Sequence, residues 1–138
     1  MIYAVFDCNV IVAGCGWRSE PHLCWLAVAR RRVRAFATER LLAEFERVMK
    51  RLESEGVFRS SAWPLFNWFR SVCRLVEPAP LGKQRSRDAS DDPCLGCGLA
   101  AKAEYIVTRD PDLLALEKPF GVEVLTPRAL LSRLAANL

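Results

Sequence analysis

Ile2-Tyr3-Ala4-Val5-Phe6-Asp7 and Glu104-Tyr105-Ile106-Val107-Thr108-Arg109-Asp110 decide the fold. Each is a short apolar run, rich in β-forming side chains, that runs into an aspartate. Length and composition favour buried strands over helices. In open parallel sheets, ligands bind beyond the carboxyl ends of the strands. Asp7 and Asp110 therefore point toward one expected site. Asp7 is the harder of the two to dismiss, because a charge directly after five apolar residues needs a partner or an exposed strand end.

The rest of the chain alternates around these runs. Residues 8–19 contain Gly14 and Gly16 and read as a loop, with at most a helical turn in Val10-Ile11-Val12-Ala13. Pro21 suits the first turn of a helix over His22–Arg31, and Val33–Thr38 reads as a second strand. Thr38 caps a helix, Glu39–Ser54, in which Leu41, Leu42, Phe45, Val48, Met49 and Leu52 follow the helical period; Gly56 closes it. Trp63–Cys73 is amphipathic, and Leu75-Val76 is a short strand. Residues 77–90 read as loop. Asp92-Pro93 opens a helix through Lys102, Pro111 opens a short one, Gly121–Leu125 is the last strand, and Thr126-Pro127 starts the final helix. Such alternation argues for an α/β protein with a parallel sheet covered by helices on both faces.

Size and composition agree. A chain of 138 residues with 51% hydrophobic and 26% charged residues is one domain, 1–138, and not a disordered polymer. No apolar run approaches a membrane span. The N-terminus lacks a basic segment and does not read as a signal peptide, so a cytoplasmic protein is expected. Cys8, Cys15, Cys24, Cys73, Cys94 and Cys97 then read as reduced thiols. The net charge is +4, and 16 of the 20 basic residues are Arg, a bias that suits a polyanionic partner and is equally compatible with simple solubility.

Three further acids stand near the two strand ends in the pattern. Asp91 and Asp92 lie at a helix start, and Glu44 falls at the edge of the apolar stripe of its helix. Carboxylates collected in one cleft would repel one another unless a cation joined them, and hard oxygen donors suit Mg²⁺ or Mn²⁺. Such ions activate water and hold the oxygens of a phosphodiester. The lone His22 sits in an apolar helix pattern and offers the chemistry little. Plainer roles compete: Asp92 and Asp110 each precede a proline and make good helix caps, Asp112 is first-turn charge, Asp88 is loop charge, and Glu44 alone is a solvated helix residue.

The order Val5-Phe6-Asp7-Cys8-Asn9, Leu41-Leu42-Ala43-Glu44-Phe45, Asp91-Asp92-Pro93-Cys94-Leu95 and Tyr105 through Asp110-Pro111-Asp112 resembles the PIN-domain family over nearly the whole chain. It is most similar to small bacterial PIN proteins described as toxins of toxin–antitoxin pairs. The resemblance implies a three-layer α/β/α fold with a parallel sheet of four or five strands. It also implies a Mg²⁺- or Mn²⁺-dependent endoribonuclease that leaves 5′-phosphate and 3′-hydroxyl ends. By matching position the metal-binding and catalytic acids are Asp7, Glu44, Asp92 and Asp110. Asp91 competes with Asp92, Asn9 orients the first carboxylate or a water, and Asp112 stands in support. The implied partners are an RNA substrate, an antitoxin and a second copy of the chain.

Some residues depart from the family pattern. Cys8 replaces the usual Thr or Ser, and a thiol is a poor donor; this favours the alternative of a non-catalytic PIN-fold module that binds RNA or a protein. Gly96 and Gly98 replace residues commonly Ala, at a cost of about 1 kcal/mol each. Cys94-Leu95-Gly96-Cys97 is a CxxC, read as buried cysteines ahead of a zinc or redox pair. Lys83, Arg85 and Arg87 lead straight into Asp91 and Asp92 and, with Arg109, are the expected RNA contacts; Arg30-Arg31-Arg32 with Arg34 is a second basic run. Trp63, Phe66 and Phe69 form a core or interface stripe, with Trp68 exposed. A dinucleotide-binding reading fails because Gly14-Cys15-Gly16 lacks a third glycine.

Overall fold

A computed structural model describes residues 1–82 and 92–136. Five strands form one all-parallel sheet: β1 (Ile2–Phe6), β2 (Val33–Ala37), β3 (Arg74–Leu75), β4 (Tyr105–Val107) and β5 (Glu123–Leu125). Their order is β3-β2-β1-β4-β5. The chain builds outward from β1 to β2 and β3, then returns to the other side of β1 for β4 and β5. The strand order thus reverses between β1 and β4, where Ala4 pairs with Tyr105 and Phe6 with Val107. In a sheet of this type that reversal opens a crevice at the strand ends.

Helices flank the sheet: α1 (Cys8–Gly16), α2 (Glu20–Ala29), α3 (Glu39–Ser54), α4 (Trp63–Val72), α5 (Asp92–Ala101), α6 (Pro111–Leu114) and α7 (Pro127–Ala136). Ala4, Val5 and Phe6 are buried in succession, as a strand covered on both faces requires. The α3 helix starts where expected, with the Thr38 hydroxyl accepting the Leu41 N–H at 3.1 Å. It stops at Gly56, whose φ of +72° lets the Val57 N–H turn back to the Leu52 carbonyl. Among the described residues no helix is long and apolar enough to cross a membrane.

Residues 8–16 correct the sequence reading. They form a regular helix, not a loop. Gly14 and Gly16 are there for close packing: a Cβ on Gly14 would lie 2.9 Å from the Trp25 ring, and one on Gly16 would lie 2.6 Å from Phe58. The glycines of α5 have the same cause, Gly96 against the Ala79 carbonyl and Gly98 against Ile106. The aromatic stripe is core. Phe66 and Phe69 are buried, Trp25 stacks on Phe69 at 4.6 Å, and Trp68 is half-buried against Trp25 rather than exposed.

Candidate active site

Asp7 is the residue after β1 and the N-cap of α1. Strand β1 is fixed in the core, so its carboxylate is carried to the floor of the crevice and is only 9% exposed. Both oxygens are held. Oδ1 accepts the Cys8 N–H at 2.7 Å and the Cys94 thiol at 3.6 Å. Oδ2 accepts the Thr108 hydroxyl at 2.7 Å and the Asn9 amide at 3.4 Å. A buried charge needs this density of donors, and its direction is set by them.

The end of β4 is tied to the same group. Thr108 Oγ1 also accepts the Asp110 N–H at 3.0 Å, and Asn9 Oδ1 accepts the Arg109 N–H at 3.3 Å. Asp110 caps α6 by accepting the Asp112 N–H at 2.9 Å. One network therefore links the ends of the two adjacent central strands. Thr108 and Cys94 were absent from the sequence-based site. Thr108 carries a faint signal, as the last residue of its apolar run two before Asp110. Cys94 carries none, because only packing brings α5 to β1.

Asp7, Asn9 and Asp110 line a cleft of about 430 Å³. One wall is α1, through Cys8, Val12 and Ala13; the other is α3, through Glu44, Val48, Arg51 and Leu52; Trp17 lies at one end. Glu44 is half-buried here, in keeping with its place at the edge of the apolar stripe. Burial, with the negative charges of Glu44 and Asp7, pushes the Cys8 thiol up to about 12, so it lines the cleft as a neutral thiol. Burial also raises the Cys94 thiol well above its ordinary value, with Asp7 beside it adding to the effect. All six cysteines are free, and burial raises Cys97 to about 12, which leaves the CxxC as two packed thiols.

Asp92 is not among the residues that line this cleft. It lines a neighbouring groove with Arg40, Pro78, Ala79, Leu81, Pro93 and Gly96. The reason is helical geometry: Cys94 faces Asp7, and residues two apart on a helix do not share a face. Among the described residues, no group of three or more His, Cys, Asp or Glu side chains is gathered closely enough to hold a metal ion. Asp91, Asp88, Lys83, Arg85 and Arg87 lie outside the described residues. Arg109 is exposed beside Asp110. Arg30–Arg32 and Arg34 fall at the opposite end of the sheet, where β2 begins, and Arg32 is tied to the Leu134 carbonyl. A larger concavity at that end, about 570 Å³ with Arg31, Arg34 and Trp68, has no acid in its lining. His22 bonds the Gly14 carbonyl at 3.0 Å and joins α1 to α2.

The fold and this acidic crevice define an all-parallel α/β protein with its functional groups at the point where the strand order reverses. The PIN-domain family profile matches residues 3–112, and the chain belongs to that family. PIN domains are nucleases in general, hydrolases of phosphodiester bonds. Among solved structures the chain is similar to PAE2754 from Pyrobaculum aerophilum, with a TM-score of 0.63 and 17% identity over 98% of this chain and 90% of that one. At that identity the likeness concerns the fold. No curated protein matches the sequence.

Proposed function

We propose that the chain is a Mg²⁺- or Mn²⁺-dependent endoribonuclease whose cleft acids are Asp7, Glu44 and Asp110. The observation that carries this reading is the buried Asp7 carboxylate, fixed by four donors and sharing a cleft with two further acids. The donor set fits a hard divalent cation: it is all carboxylate and amide oxygen, with the one cysteine of the cleft kept neutral. A cation also resolves a charge conflict, since three carboxylates and one guanidinium line a cleft that must accept a polyanion. When bound, the ion supplies Lewis-acid activation of water and of the phosphodiester.

The chain's own groups do the positioning. Thr108 and Asn9 hold Asp7 Oδ2, and the α1 amide holds Oδ1, so the carboxylate does not reorganise as charge develops. Asp110 is locked by its cap bond to α6. The fourth acid comes from the Asp91-Asp92 pair. The two are adjacent in the sequence, Asp92 matching the family's position and Asp91 competing with it by a one-residue shift. Parallel Asp91→Asn and Asp92→Asn variants identify the contributor.

The test is cleavage of single-stranded RNA with Mn²⁺, with and without a chelator. Asp7→Asn or Asp110→Asn lowers the rate by more than about 100-fold, beyond the effect of changing a group that only supports a ligand. Retention of activity in both variants would refute the assignment. We further propose that the enzyme is a cytoplasmic toxin that pairs as a homodimer and is restrained by an antitoxin. Family resemblance supports this step. Growth arrest on expression, relieved by the product of an adjacent reading frame, is its test.

A further inference from the structure

We infer that Trp17 is a stacking platform for an unpaired base of the RNA strand, which selects single-stranded substrate at a distance from the acids. This rests on the nuclease reading of the cleft. Asp7 caps α1 and Trp17 ends it, so the two are separated by about 15 Å of helix rise. Both line the same cleft. The base on Trp17 is therefore not one flanking the scissile bond but one further along the strand.

Three observations single out this ring. Trp17 is 47% exposed, whereas Trp25 is buried and Trp63 and Trp68 are half-buried in the core. The ring is nonetheless held, with Phe58 5.7 Å away at 51°, and Phe58 fits there because Gly16 leaves room for it. The span between Trp17 and the acids is lined by Val12, Ala13, Val48 and Leu52, with Arg51 in the last turn of α3. That sequence of surfaces, acidic then apolar with a guanidinium then aromatic, matches a strand presenting a scissile phosphate, a further phosphate and a splayed base. Stacking on an aromatic is tolerant of base identity and closed to a duplex, whose bases are already stacked.

Two measurements on the full chain decide it. The first compares Trp17→Ala with wild type on a dinucleotide, too short to reach Trp17, and on a longer single-stranded RNA, both with Mn²⁺. Expected is a loss of roughly 10- to 100-fold in kcat/KM on the long substrate alone, largely restored by Trp17→Phe. Equal losses on both substrates would make Trp17 structural, and no loss on the long RNA would assign it to a protein contact; either overturns the inference. The second needs no cleavage: oligoadenylate is titrated with Ca²⁺ as the ion. Quenching of tryptophan emission in wild type, absent in Trp17→Phe and absent with the oligoadenylate–oligouridylate duplex, is expected. Identical quenching in both proteins would overturn it. Failure of wild type to cleave either RNA sinks the nuclease reading instead, and leaves the titration to judge the stacking.

Discussion

Four strands of the sheet end in a helix cap, and the central two differ from the two beside them. Strand β2 is followed by Thr38 and β5 by Thr126, whose hydroxyls accept the N–H groups of Leu41 and Ala129. Strand β1 is followed directly by Asp7, and β4, after Thr108 and Arg109, by Asp110; their carboxylates accept the N–H groups of Cys8 and Asp112. The local task is the same, satisfying orphan donors in the first turn of a helix. Threonine performs it at the flanking strands without charge. The negative charges of the central pair therefore exceed what capping requires, and they sit at the point where the strand order reverses. Charge beyond structural need, at the place where such sheets bind ligands, is the physical case for a site here.

The sharpest way to break this comparison is to make the central ends resemble the flanking ones. Asp7→Thr combined with Asp110→Thr keeps both caps, so circular dichroism reports a folded protein, destabilised by about 1–3 kcal/mol through the donors left around position 7. Cleavage falls by more than about 100-fold, past the range for supporting groups. A folded double variant that still cuts RNA would show that the central acids are only caps.

A smaller effect tests the link between the two central ends. Thr108→Val removes the hydroxyl that donates to Asp7 and accepts from Asp110. Activity or metal affinity drops by about 10- to 100-fold, with Asp7 still in place. The least effect belongs to the reverse exchange. Thr126→Asp puts a carboxylate where β5 ends; stability changes by no more than about 0.5 kcal/mol, because Asp caps at least as well as Thr, and cleavage is unchanged. A gain or loss of activity there would mean that charge anywhere along this edge matters.

The sequence disclosed most of this frame. The apolar runs before Asp7 and Asp110 located the central strands, and the helical period of Leu41 to Leu52 placed Glu44 at the edge of the buried face, where it lines the cleft. What it hid has definite causes. Gly14 and Gly16 carry the signature of a loop, yet their lack of a Cβ serves Trp25 and Phe58 inside a helix. Thr108 and Cys94 act on a residue 101 and 87 positions away, and no local pattern encodes such a contact. Trp17 falls in the stretch 8–19 that reads as a loop, whereas α1 runs to Gly16 and Trp17 is its C-cap. Asp92 matches the family's position, but it stands two residues before Cys94, and a little over half a helical turn separates the directions of their side chains.

The central claim is that Asp7 anchors a divalent-cation site. Calorimetric titration of Mn²⁺ into the purified chain, wild type beside Asp7→Asn, tests it most directly. Binding in the micromolar to millimolar range is expected for wild type, with its loss in a variant that remains folded, since Asn is a good helix cap. Equal binding by both proteins, or none by a folded wild type, would contradict it.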